Sequence, residues 1–198
     1  MEKGEVQVLI EGCPASGKSS ALFRLKNGEM LLTPEPGTDG FFVENVSQAG
    51  GAKLNVWEVH SKGVREKCLS TARALCFVVD CTEGSAGIHR AKAKLHETML
   101  SFSSQPKRKC FTVLVLANKQ DVARALTPSK LELTLSLGNR ADSKTWSWKV
   151  QGCSATQGSG LKEGMDWIAA VVRKKRRRDR TPREAPDPYK LSQEGPVC

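Results

Sequence analysis

The sequence predicts an α/β fold: a mostly parallel sheet with one antiparallel strand, and helices on both faces. Three observations carry this. Short apolar runs rich in β-branched and aromatic residues recur along the chain, as strands buried on both faces would. Segments with apolar residues at helical spacing alternate with them, and that order implies a parallel sheet with covered faces. A glycine-rich loop links the first strand pattern to the first helix pattern, which is the layout of a phosphate-binding turn.

The elements follow in order. Glu5 to Glu11 (EVQVLIE) alternates and then fills with apolar residues, Gly12 to Gly17 interrupts it, and Lys18 to Leu25 starts a helix. Pro34 to Gly40 is a loop that leads into a strand over Phe41 to Val46. Lys53 to Val59 (KLNVWEV) alternates and is its antiparallel partner across the turn SQAGG. Ala74 to Asp80 (ALCFVVD) and Phe111 to Ala117 (FTVLVLA) read as central strands. Ile88 to Leu100 places Ile88, Ala91, Leu95 and Met99 on one helical face. A helix near Ser129 to Leu135, a strand over Trp146 to Gln151 and a helix over Leu161 to Arg173, with Leu161, Met165, Ile168 and Val172 on one face, complete the pattern.

A chain of 198 residues with 39% apolar composition supports one core. The expected domain spans 1–178 and ends in a polybasic segment, 173–178, while the Pro- and charge-rich tail 179–198 is expected to be disordered. Of the net charge of +10, half lies in the last 26 residues, where nine Lys/Arg face four acids. No apolar run is long enough to cross a membrane, and MEKGEVQVLI lacks the pattern of a signal peptide, so an intracellular, cytoplasmic protein is expected. Glu2 in place of Gly argues against myristoylation, and GPVC puts Cys198 too late for a prenylation box. Seven scattered cysteines without a C-x-x-C pair suggest neither a disulfide framework nor a zinc site.

Gly12-Cys13-Pro14-Ala15-Ser16-Gly17-Lys18-Ser19 fits G-x-x-x-x-G-K-S between strand and helix. Its glycines let successive N–H groups point at phosphate oxygens, and the following helix N-terminus adds partial positive charge. Pro14 belongs to the loop but has no N–H, so the cradle relies on Ala15, Ser16, Gly17, Lys18, Ser19 and Ser20. Lys18 would bridge the outer phosphates and the Ser19 hydroxyl would hold Mg²⁺. Asn118-Lys119-Gln120-Asp121 follows the strand FTVLVLA at its carboxyl end. An Asp there can accept from N1–H and the exocyclic amine of guanine, a pair adenine does not offer. Cys153-Ser154-Ala155-Thr156 follows a later strand.

With these motifs the chain resembles the small GTPases, a P-loop NTPase fold, and within them the ADP-ribosylation factor and Arf-like family. GCPASGKS, Gly37-Thr38-Asp39-Gly40-Phe41 with Val43-Glu44, FVVD, LANKQD, CSAT and the ending GLKEGMDW carry the resemblance from about Glu5 to Arg173. It implies a monomeric molecular switch that binds GTP/GDP with Mg²⁺ and regulates trafficking or signalling. It also implies that Thr38 joins Ser19 on the metal and meets the γ-phosphate. Asn118 and Asp121 would hold guanine, Lys119 would lie over its ring, and the N–H groups of Ser154 and Ala155 would reach its oxygen. Effector and exchange-factor proteins would dock on 37–46 and 57–72.

The chain departs from the family in three places. The first strand starts almost at Met1 where the family opens with an amphipathic, usually myristoylated helix, so attachment by that route is not expected. The run KKRRRDR could substitute electrostatically at an anionic leaflet, at about 1 kcal/mol per basic residue, serve nucleic acid or nuclear import through 173–183, or be an inert solvated end. Where the family reads W-D-V-G-G-Q, this chain has Trp57-Glu58-Val59-His60-Ser61-Lys62. Glu58 keeps the charge that reaches Mg²⁺ through water, and Ser61 keeps an N–H only if its backbone adopts the glycine geometry. Charged Lys62 cannot accept a bond from the attacking water, which the family Gln orients. A lone His60 reads as loop rather than as a catalyst.

Three functions stay open at this point. One is a GTP-dependent switch with weak or absent hydrolysis, in which Lys62 neutralises γ-phosphate charge. The others are a pseudo-GTPase scaffold and a basic-tail adaptor for anionic membrane or nucleic acid.

Overall fold

The computed structural model describes residues 5–27, 41–47, 53–59, 62–104, 111–137 and 146–180, the segment 41–47 and residues 27, 62 and 176–180 through their backbone alone. The strands are β1 (Val6–Gly12), β2 (Phe41–Ser47), β3 (Lys53–Val59), β4 (Ala74–Asp80), β5 (Phe111–Asn118) and β6 (Trp146–Gly152). Interleaved with them are the helices α1 (Lys18–Asn27), α2 (Lys62–Thr71), α3 (Ser85–Ser103), α4 (Pro128–Leu135) and α5 (Leu161–Arg180). The strands form one sheet in the order β2-β3-β1-β4-β5-β6, parallel throughout except for β2 against β3. The expected architecture, including the single antiparallel strand, is therefore observed.

Two cores flank the sheet because successive strand side chains point to opposite faces. Val8 and Ile10 of β1, Cys76 and Val78 of β4, and Leu114 and Leu116 of β5 pack with Ala21 and Leu22 of α1 and with Leu161, Met165 and Ile168 of α5. On the opposite face Leu9, Leu75, Phe77, Val113 and Val115 pack with α2, α3 and α4. Helix α5 lies close to β5, since a Cβ at Gly164 would meet Leu114 and Leu116 Cδ2 atoms at 3.0 and 3.1 Å. At the first residue of β5, Phe111 stacks on Trp146 of β6, with ring centroids 4.6 Å apart.

Two elements differ from the sequence reading. No helix was expected after Val59, yet α2 forms there, burying Cys68 and Leu69 with Val64 half-buried. Its apolar residues are too few for a clear periodic signal, and packing on the sheet overrides that weak pattern. Helix α5 runs to Arg180 instead of stopping at Arg173, because Lys and Arg are good helix formers and an existing helix propagates readily. The polybasic segment 173–178 is thus continuous with the last core helix. The turn SQAGG and residues 181–198 lie outside the described residues.

Candidate functional site

The carboxyl ends of β1, β4, β5 and β6 come together at one edge: Gly12 is in register with Val78, Asp80 with Asn118, and Ala117 with Gly152. Strand β1 lies between β3 and β4, and its helix α1 covers one face while α2 and α3 cover the other. The connections therefore diverge beside β1, and the crevice at such a point is where open α/β sheets bind ligands.

The loop after β1 curls through two left-handed residues, Ala15 (φ 56°) and Gly17 (φ 94°), before α1 starts at Lys18. The Lys18 ammonium folds back over it and donates to the carbonyls of Cys13 at 2.9 Å and Gly12 at 3.4 Å. Ser16 is fully buried, and its hydroxyl has no hydrogen-bond partner among the described residues. A buried donor of that kind is costly unless something meets it, so the loop is chemically suited to an anionic oxygen group. Ser19 and Ser20 sit in the first turn of α1, where helix N–H groups have no intrahelical acceptor.

Asn118, only 1% exposed, is the hub of the site. Its Nδ2 donates to the Ser16 carbonyl at 2.8 Å, and its Oδ1 accepts from the Ala155 N–H at 2.9 Å and from the Cys153 thiol at 3.7 Å. Burial, with lesser contributions from Cys81 and Asp121, pushes the Cys153 thiol up to about 12, so it stays protonated and able to donate. Asn118 therefore joins the phosphate loop to the 153–156 turn.

Lys119 adopts a left-handed backbone (φ 66°), and its ammonium donates to Asp80 Oδ2 at 2.5 Å. Burial disfavours the Asp80 carboxylate. The hydrogen bonds from Lys119 and from the Thr82 hydroxyl and N–H, at 2.6 and 2.8 Å, outweigh that and hold its pKa below the ordinary carboxylate value. Asp121 is exposed, and it makes no ion pair or hydrogen bond among the described residues.

The Ser154 N–H donates to the Ser159 carbonyl at 3.0 Å, and the Ala155 N–H is taken by Asn118. Both donors expected to reach guanine are thus engaged within the protein, and exposed Thr156 carries the next N–H along the turn. Arg24 of α1 holds this turn from outside, donating to the Gln157 carbonyl at 2.8 Å. Glu58, near the end of β3 beside β1, is 2% exposed. Thr38, His60 and Ser61 lie outside the described residues, and Lys62 opens α2.

The structure thus brings Ser16, Lys18, Ser19, Asn118, Lys119, Ser154 and Ala155 to one edge of the sheet, although the first loop lies more than a hundred residues before the other two. Sequence reasoning missed Arg24, Asp80 and Thr82. Asp80 stood in the quoted FVVD motif, while the partner of Arg24 is 133 residues away and left no local signal.

The family model for the ADP-ribosylation factor family matches residues 1–172. The chain belongs to that family. It is 32% identical over 177 residues to ADP-ribosylation factor K of Dictyostelium discoideum, covering 87% of this chain and 88% of that protein. It is 34% identical over 173 residues to ADP-ribosylation factor-like protein 1 of Saccharomyces cerevisiae, covering 85% and 88%. In fold it is similar to the Arl6 BBS3 small GTPase from Trypanosoma brucei solved with the nucleotide analogue GppNp, at a TM-score of 0.69 and 20% identity over 86% of this chain and 98% of that one. As an Arf-family chain it carries the family's general character, a GTP-binding switch in trafficking or signalling.

Proposed function

We propose that this Arf-family chain binds GDP and GTP with Mg²⁺ as a switch and hydrolyses GTP weakly or not at all. The observation that carries the reading is the Asn118 clamp, which holds the phosphate loop and the guanine-side turn at a fixed separation. Phosphates would lie on the loop from Ala15 to Ser20 beneath Lys18, and the exposed carboxylate of Asp121 would pair with guanine. The guanine oxygen would take its N–H from Thr156, since those of Ser154 and Ala155 are engaged. Lys119 would lie over the base while tied to Asp80.

The oxygen donors Ser19, Thr38 and, through water, Glu58 suit a hard cation such as Mg²⁺, which would neutralise phosphate charge. Lys62 replaces the residue that orients the attacking water in the family, and it would instead neutralise γ-phosphate charge and favour the GTP state. Residues 37–46 and 57–72 would face effectors and exchange factors inside the cell.

Single-turnover hydrolysis by nucleotide-loaded protein tests this. The expected result is tight binding of both nucleotides with hydrolysis far below that of relatives carrying Gln. Turnover comparable to those relatives, and its loss on Lys62→Ala, would overturn it. A second reading, a pseudo-GTPase scaffold, is favoured by the longer Glu58 at the metal side of the crevice and predicts equal affinities for GDP and a GTP analogue, or none.

A further inference from the structure

The next-to-last residue of β1 is a carboxylate, Glu11, immediately before Gly12 at the start of the phosphate loop, and its side chain is 12% exposed. Arg65 of α2 grips it with two donors, Nε to Oε1 at 2.5 Å and Nη2 to Oε2 at 3.3 Å. Thr98 of α3, fully buried, donates to Glu11 Oε2 at 2.9 Å and lies 3.4 Å from Arg65 Nη2. One carboxylate therefore binds three elements: the phosphate-loop strand, α2 and α3. Among the other described side chains of the first half of α2, Gly63 and Glu66 are exposed and Val64 is half-buried against the core.

We propose that Glu11, Arg65 and Thr98 form a latch that keeps the first half of α2 in one position whichever guanine nucleotide is bound. On the switch reading above, on which this rests, the 57–72 surface is then presented constantly, and 37–46 is left as the segment that responds. The fork geometry of a guanidinium on a carboxylate fixes orientation as well as distance. Moving α2 away would leave the largely enclosed Glu11 carboxyl group between β1 and Thr98 without its guanidinium partner, which is unfavourable. A nucleotide can displace α2 only by as much as it favours the displaced state, so a half-buried pair whose bonds run among β1, α2 and α3 opposes the move in both states.

Amide hydrogen exchange over residues 63–71 of the full chain, loaded with GDP or with a non-hydrolysable GTP analogue, tests the latch. The expected result is protection equal within about twofold in both states for the native protein. In R65M protection should fall by about tenfold or more and differ between nucleotides, with R65K in between. Native protection that changes more than about fivefold with nucleotide, or R65M that exchanges like the native protein, overturns the proposal. If R65M does not fold, T98V removes one donor from the same carboxylate and carries the same comparison. Titration with fluorescent nucleotide on the same samples separates the two failures. A chain that binds no guanine nucleotide overturns the switch reading, while the latch still stands or falls on whether R65M loosens α2.

Discussion

The Asn118 side-chain amide donates to the main-chain carbonyl of Ser16 across 102 residues, at 2.8 Å. The same side chain accepts from Ala155, so one buried amide sets the width of the crevice. Asn118→Ala would leave the Ala155 N–H and the Ser16 carbonyl buried without those partners, at about 1–3 kcal/mol for each. We expect thermal unfolding at a lower temperature and guanine-nucleotide affinity reduced at least tenfold. A variant that keeps native affinity in a fluorescent-nucleotide titration would show that the clamp does not shape the site.

Gly17 lies against this clamp. A Cβ there would strike the Asn118 amide, and its φ of 94° disfavours any L side chain by about 1–2 kcal/mol. Gly17→Ala should therefore abolish nucleotide binding while circular dichroism still reports a folded sheet.

The Lys119–Asp80 pair makes a prediction about acid stability. Because the folded pKa of Asp80 is depressed, its contribution is fully present above the unfolded value near ~3.9 and is lost as pH falls through the lower folded value. Melting temperatures recorded between pH 6 and pH 3 should fall less steeply at the acid end in Asp80→Asn than in the native protein. Parallel curves would mean that the pair contributes nothing to acid stability.

Arg24 reaches the Gln157 carbonyl from an exposed position, so its bond contributes roughly 0.5–1.5 kcal/mol. Arg24→Ala should lower the melting temperature by only about 2–4 °C and raise the nucleotide dissociation rate a few-fold, read by displacement of a labelled nucleotide. An unchanged rate would detach the 153–160 turn from nucleotide retention.

Lys175 donates to the Phe111 carbonyl at 2.6 Å and to the Thr112 hydroxyl at 3.2 Å, so it belongs to the folded domain even though it sits within the basic run. Truncation after Lys175 therefore removes Arg176 to Arg178 and the rest of the tail while keeping Val172 and Lys175, the last described contacts of α5 with the domain. If 173–183 recruits anionic membrane or nucleic acid, the intact chain should bind phosphatidylserine vesicles or RNA with a steep loss at higher salt, and the truncated chain should not. Equal binding by both would leave the arginines as a solvated helix end.

The order of strands and helices, the phosphate loop and the guanine motif could be read from residues alone, because each rests on local periodicity or on spacing within about eight residues. Helix α2 could not, since Val64, Cys68 and Leu69 become an apolar face only when β1 and β3 are beside them. Nor could the separate roles within one motif. Asn118 and Asp121 look equivalent as candidates for guanine, yet burial turns Asn118 inward as a clamp and leaves Asp121 at the surface.

By itself the sequence determined the family, the sheet that family builds, and the replacement of the D, G, G and Q of W-D-V-G-G-Q by Glu58, His60, Ser61 and Lys62, for these depend on residue identity in register. Only the tertiary structure decided which donors are already engaged and which elements are tied together. Glu11, Arg65 and Thr98 are 54 and 87 residues from meeting along the chain. A charge on a central strand becomes an anchor only when folding removes it from water and places its partners at hydrogen-bond distance.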